Sequence, residues 1–195
     1  MIGIVFYNLI VLAFMLFILR KLPLRYVLVI LSVILACLNI RFAPFSLVEY
    51  LYALLDTPSV MSVLFASYYI AVFALRNRKI THKPPLSLGV QILYVLFGLY
   101  LYLSALGIAF VDIYFIDCPI KLVILCGFAF VLYLCNHLAG YMLLIALVCY
   151  MARLLGEIDV MSYCIDVLLW VYCVCGVIWH ITKNTMHAKH PNNLL

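Results

Sequence analysis

The chain has very little charge. Only 10% of its 195 residues are Asp, Glu, Lys or Arg, whereas 70% are hydrophobic. A soluble globular domain is typically about half apolar and about a quarter charged. Such a domain could not bury this much apolar surface. The composition therefore excludes an ordinary soluble domain and indicates that the chain is surrounded by lipid.

Alternating patterns of apolar and polar residues are also lacking. A membrane β-strand alternates the two kinds over about ten residues, but the apolar runs here are long and unbroken, as at 26–40 and 122–135. In a bilayer, every backbone N–H and C=O must find its partner within the protein. The sequence therefore predicts an all-α fold, namely a polytopic transmembrane helix bundle that forms one domain over 1–182.

The familiar signatures of catalysis and ligand binding are missing. No Ser nucleophile elbow, zinc-binding HExxH or phosphate-binding P-loop occurs. Lys and Arg form no basic face of the kind that binds nucleic acid. The eight cysteines include no CxxC pair, and most lie in apolar runs, where cysteine behaves as a small hydrophobe. The sequence predicts no nucleic-acid partner, metal or cofactor, and it favours a protein that is not an enzyme.

The apolar runs predict six membrane-spanning helices and one short interfacial or re-entrant helix. A span needs about 20 residues, so one long, tilted or kinked helix is favoured over two short ones for residues 122–152. Ser46 followed by Glu49 has the capping-box pattern and starts the short helix, over 46–56. The predicted spans are 2–19, 26–40, 59–75, 86–111, 122–152 and 160–182, and a polar tail follows over 183–195.

Lys and Arg are distributed unequally between alternate loops. Under six spans, eight of them fall on one side and four on the other, at Arg41, Lys121, Lys183 and Lys189. The richer side is expected in the cytoplasm. Both termini are then expected on the outer side, whereas a seventh helix would place the C-terminus inside.

Four carboxylates are expected near the outer interface. They could bind a cation, relay protons or contact a lipid headgroup, or they could simply mark where helices leave the membrane. These residues are Glu49, Asp56, Asp112 and Asp117.

Three further polar residues fall inside predicted spans. Asp166 lies about two turns into the sixth span, where a carboxylate usually faces the bundle and is paired. Arg153 or Lys79 could reach it. Asn136 and His137 lie in the middle of the fifth span, where proton relay, haem ligation or a buried structural hydrogen bond to a neighbouring helix are the alternatives.

Two stretches resemble segments of a group of short multi-pass bacterial inner-membrane proteins of unknown activity. They are residues 104–114 (SALGIAFVDIY) and 163–170 (YCIDVLLW). The resemblance implies a bacterial inner-membrane location and singles out Asp112, Tyr114 and Asp166, but it carries no activity. In size and helix count the chain also resembles the substrate-binding subunits of energy-coupling vitamin transporters, as an analogy of architecture alone.

Three functional hypotheses follow. The first is a non-enzymatic subunit of an envelope or transport assembly, whose partners are membrane lipid and other membrane subunits or further copies of the chain. The second is a small solute or ion carrier with Asp166, His137 and Asn136 along its path. The third is a membrane enzyme acting on lipid or glycan at the outer face, with Asp112 and Asp117 as acid and base.

Overall fold

The computed structural model describes residues 2–20, 22–41, 44–75 and 86–189, and this part of the chain is all-helical. It contains nine helices and no strand. The basic segment over 76–85 and the end of the predicted tail, 190–195, lie outside the described residues. The helices are α1 Ile2–Leu19, α2 Leu24–Asn39, α3 Leu47–Leu55, α4 Val60–Ala74, α5 Leu88–Ala105, α6 Cys118–Cys135, α7 His137–Met151, α8 Val160–Cys164 and α9 Val167–Lys189.

Three of the described helices, α1, α5 and α6, are long and apolar enough to cross a membrane, fewer than the six predicted. Four further segments are apolar but shorter: Arg25–Asn39, Val60–Ala74, His137–Met151 and Val167–Lys183. A helix of 15 residues, such as α4, extends about 22 Å at about 1.5 Å per residue. That is less than the hydrocarbon core of about 30 Å.

The single long helix predicted over 122–152 is wrong. The chain forms α6 and α7, which are separated by Asn136 in extended backbone geometry, with φ −158° and ψ 110°. The Asn136 side chain accepts a hydrogen bond from the Leu138 backbone N–H at 3.0 Å, so it caps the start of α7. A Cβ atom on Gly140 would lie 2.5 Å from the Cβ of Tyr133, so this close approach depends on glycine.

The single helix predicted over 160–182 is also interrupted. α8 ends at Cys164, Ile165 is extended with φ −142° and ψ 139°, and α9 begins at Val167. α9 then continues to Lys189, so the predicted polar tail is helical over its first residues. The predicted helix over 86–111 is shorter as well, because α5 ends at Ala105 and Gly107 follows with a φ of +69°.

The chain divides into two compact units, where the sequence analysis expected one domain. The first unit comprises Met1–His82 and Val148–Asp166. Its core lies where α1 packs against α2, α3 and α4, and it includes Leu16, Val27 and Leu31.

The second unit comprises Lys83–Leu147 and Val167–Leu195, and α5 packs against α6 and α9 within it. The indole N–H of Trp170 on α9 donates to the Val95 carbonyl of α5 at 3.1 Å. The Trp170 ring also meets Tyr102 edge to face, with centroids 5.3 Å apart. These contacts join helices that are distant in sequence into one unit.

Candidate functional site

Asp166 lies in the break between α8 and α9, and its carboxylate meets the first turn of α4. One carboxylate oxygen accepts from the Ser59 backbone N–H at 2.7 Å, and the other accepts from the Ser62 hydroxyl at 2.9 Å. The Ser59 hydroxyl in turn donates to the Ser62 hydroxyl at 3.0 Å and accepts from the Ser62 N–H at 3.1 Å. Both serines are buried. We call Asp166, Ser59 and Ser62 the α4 cap cluster.

The α4 cap cluster follows from the chemistry of helix ends. The first N–H groups of a helix have no partner within the helix, and they carry partial positive charge. Ser59 is the N-cap residue and satisfies one of these donors, while the carboxylate of Asp166 satisfies another. An anion at this position is stabilised by the helix dipole as well as by the hydrogen bonds.

The placement of Asp166 two turns inside a spanning helix is therefore wrong, because the residue lies in the break between α8 and α9. One of its two expected partners is engaged elsewhere, since Arg153 pairs with Glu157 at 2.9 Å. The other, Lys79, lies outside the described residues.

Ser59, Ser62 and Tyr7 lie near this site but were not predicted from the sequence. Ser59 follows Pro58 and stands three residues before Ser62, a spacing typical of a helix start. That spacing gives no indication of Asp166, which is more than 100 residues further along the chain. Tyr7 of α1 is also buried, and its hydroxyl donates to the Asp56 carbonyl at 2.6 Å, just before α4.

Glu49 occupies the predicted capping box at the start of α3, which is confirmed. Its carboxylate accepts from the Ser46 N–H at 2.6 Å, and its own N–H donates to the Ser46 hydroxyl at 3.3 Å. Arg41 lies 3.6 Å away. The hydrogen bonds to Ser46, with a smaller effect of Arg41, hold the pKa of Glu49 below its ordinary value.

Asp56 ends α3 with an unusual backbone conformation, φ 60° and ψ −164°. Its carboxylate accepts from the N–H of Thr57 at 2.7 Å and from the Thr57 hydroxyl at 3.2 Å. This local pairing stabilises the tight turn that leads from α3 to α4.

Asp112 and Asp117 belong to the second unit, in the connection between α5 and α6. The Asp112 carboxylate accepts from the Ser104 hydroxyl at 2.7 Å and from the Phe115 N–H at 3.4 Å. Asp117 precedes α6, and its side chain makes no capping hydrogen bond there. Glu49 and Asp56 lie in the first unit, so the expected clustering of all four carboxylates stays a prediction.

Asn136 and His137 stand at the junction of α6 and α7 and not in the middle of one helix as predicted, since Asn136 separates the two helices and His137 is the first residue of α7. Asn136 caps α7. His137 is exposed, and its ring lies 4.4 Å from the Tyr133 ring centroid. The favoured interpretation of His137, a buried histidine bonded to a neighbouring helix, is therefore wrong.

Three of these polar side chains act as hydrogen-bond acceptors at the starts of helices. Asp166 and Glu49 each accept a hydrogen bond from the backbone N–H of an N-cap serine, and Asn136 accepts one from a backbone N–H in the first turn of α7. Across residues 2–20, 22–41, 44–75 and 86–189, no group of three His, Cys, Asp or Glu side chains could hold a metal ion. Comparisons with protein-family models, with curated proteins and with solved structures find no match to this chain.

Proposed function

We propose that this chain is a multi-pass integral membrane protein of the bacterial inner membrane and a non-enzymatic subunit of a larger envelope or transport assembly. The observation that carries the membrane assignment is the outward-facing apolar surface of the helices. Phe14 of α1, Val29 of α2 and Phe130 of α6 each expose more than half of their surface, at 57%, 63% and 63%. Exposing such an apolar surface to water is unfavourable, whereas contact with the hydrocarbon of a lipid bilayer is favourable.

The shorter apolar helices are compatible with this proposal. A short span is accommodated by local thinning of the bilayer or by flanking polar side chains that reach the interface. We propose six crossings with both termini on the outer side, following the unequal distribution of Lys and Arg. The break at Asn136 raises one specific alternative, in which α6 and α7 each cross the membrane and the chain has seven crossings. Seven crossings would place the C-terminus in the cytoplasm.

Topology is tested by fusing alkaline phosphatase, or a fluorescent protein that matures only in the cytoplasm, to the C-terminus. Active phosphatase supports six crossings. Fluorescence instead supports seven, with α6 and α7 each crossing. Extraction of the chain by alkaline carbonate would contradict the membrane assignment itself.

The role as a subunit is supported by the use of the polar side chains. Carboxylates at Asp166, Asp56 and Glu49 accept hydrogen bonds that shape the chain's own turns and helix ends. Carboxylates that accept hydrogen bonds from the chain's own backbone contribute more directly to folding than to a catalysed reaction. Native mass spectrometry after extraction in mild detergent from the source membrane tests the proposal. A partner subunit in fixed stoichiometry is expected, and activity of the purified chain alone would contradict it.

One observation favours a second candidate function, that of a small solute or ion carrier. Asp166 lies where a helix is interrupted and opposite the N-terminus of another helix, an arrangement that carriers use to bind ions and substrates. Ion flux into proteoliposomes should then fall in Asp166→Asn and persist in Glu157→Gln, whose carboxylate is exposed in a turn. Equal flux in both variants would exclude the carrier role of Asp166.

A further inference from the structure

The connection between α5 and α6, residues 106–117, exposes large apolar side chains although it is not helical. Phe110 is fully exposed, and Leu106, Ile108 and Phe115 each expose about 70% of their surface, at 71%, 69% and 72%. A connecting segment in contact with water usually presents polar side chains. The α5–α6 connection therefore needs an apolar environment.

The backbone of the α5–α6 connection is arranged to tolerate such an environment. Burying an unpaired N–H in a medium without water costs several kcal/mol, so a segment in contact with lipid must pair its own groups. Seven of the twelve backbone N–H groups of residues 106–117 donate to α5 or to the connection itself, namely those of Leu106, Gly107, Ile108, Ala109, Ile113, Tyr114 and Phe115.

Polar side chains add to this internal pairing. The Ser104 hydroxyl accepts from the Tyr114 N–H at 3.0 Å and donates to the Asp112 carboxylate at 2.7 Å. The Tyr100 hydroxyl donates to the Val111 carbonyl at 2.9 Å. The carboxylate of Asp112 therefore turns back onto the chain. The large exposed side chains from Leu106 to Val111 are apolar, whereas the exposed Asp112 and Asp117 lie in the half of the connection that leads to α6.

The helices on either side indicate which surroundings the connection meets. Among the described residues, α5 and α6 are two of the three helices long and apolar enough to cross a membrane. Their outward side chains are apolar as well, including Leu96 of α5 and Val123 of α6, which expose 59% and 71% of their surface. The apolar surface of the connection thus continues from the two helices that it joins.

We propose that the α5–α6 connection inserts into the lipid bilayer at the boundary between headgroups and acyl chains, with Phe110 as its deepest side chain. The proposal rests on the membrane location proposed above and adds a specific lipid contact to it. Aromatic and aliphatic side chains at this boundary bury about 5–10 Å below the headgroups. Tyr100 and Tyr114 match the preference of tyrosine for the interface.

The test places a tryptophan at the tip of the connection. The full-length Phe110→Trp variant is reconstituted into phosphatidylcholine vesicles with and without bromine on the upper acyl chain. Glu157→Trp is the matched control, because Glu157 is exposed in a charged turn beside Arg153. Subtracting the emission of the unsubstituted chain removes the contribution of Trp170 and Trp179. Since the Phe110 side chain is fully exposed, the substitution should not disturb folding.

We expect brominated lipid to quench the tryptophan at position 110 at least about twofold more strongly than the one at 157, and aqueous acrylamide to show the reverse order. Quenching of position 110 by acrylamide alone would overturn the proposal. Protection from both quenchers would overturn it too, because a second copy of the chain would then cover the connection. Carbonate extraction of the unsubstituted chain is the separate result that would refute the membrane assignment.

Discussion

Replacing Asp166 with alanine removes the acceptor of two hydrogen bonds in the α4 cap cluster. The Ser59 N–H and the Ser62 hydroxyl would lose a charged partner, and both serines are buried, with exposed fractions of 0% and 7%. A hydrogen bond to a charged group contributes about 1.5–3 kcal/mol, and a buried donor without a partner costs about 1–3 kcal/mol. Because Asp166 itself is only half-buried, we expect each of the two hydrogen bonds to contribute near the lower end of this range. The free energy of unfolding should therefore fall by about 3 kcal/mol in total.

That loss corresponds to a fall in melting temperature of about 6–12 °C, because a chain of this size shifts by about 2–4 °C per kcal/mol. A thiol-reactive fluorophore gives the assay, since Cys164 and Cys173 are buried and become reactive on unfolding. Glu157→Ala is the control. It removes an exposed ion pair, which contributes little, and should leave the melting temperature nearly unchanged.

A double-mutant cycle separates the α4 cap cluster from a general effect of losing a carboxylate. Ser62→Ala removes one of the two donors to Asp166, so Asp166→Ala should cost less in that background than in the original chain. We expect a coupling free energy of about 1 kcal/mol. A melting temperature of Asp166→Ala equal to that of the original chain, or strict additivity of the two changes, would refute this account of how α4 begins.

Two further predictions concern single positions. Gly140→Ala should destabilise the chain by about 1–3 kcal/mol, because the new Cβ would meet Tyr133 at 2.5 Å, whereas Gly127→Ala meets nothing within 4 Å; equal melting temperatures of the two variants would contradict the close contact. Glu49→Gln should lower stability fully above the ordinary carboxyl pKa of 4.5 and progressively less below it, because the Ser46 hydrogen bonds lower the folded-state pKa of Glu49 and their contribution is lost as pH falls through that lowered value. Melting curves of both chains from neutral to acidic pH should converge, and a difference that grows in acid would reverse the sign of the argument.

Several parts of the fold could be predicted from residue patterns within a few positions of one another. The all-α character follows from unbroken apolar runs, and the start of α3 follows from Ser46 and Glu49, which are three residues apart and pair as the capping pattern predicts. Both inferences depend on local chemistry that any chain with these residues would share.

The helix breaks could not be predicted in the same way. Asn136 stands in an apolar run without proline, so hydropathy indicates a continuous helix; its role as a cap depends on the bond to Leu138 and on the contact between Gly140 and Tyr133. The apolar residues on both sides of Asp166 likewise predict a continuous helix that contains it. Its bonds to α4 join residues 104 and 107 positions apart, a separation at which one sequence alone gives no pairing information.

The order in which the two units occur along the chain has a consequence for biosynthesis. The first unit contains Met1–His82 and is completed only by Val148–Asp166, so the second unit's first segment is synthesised before the first unit can close. The N–H of Ser59 emerges from the ribosome long before its acceptor at residue 166. A nascent chain that stalls in between would lack the carboxylate acceptor of the Ser59 N–H, so the start of α4 acquires its full set of hydrogen bonds only after Asp166 has been synthesised.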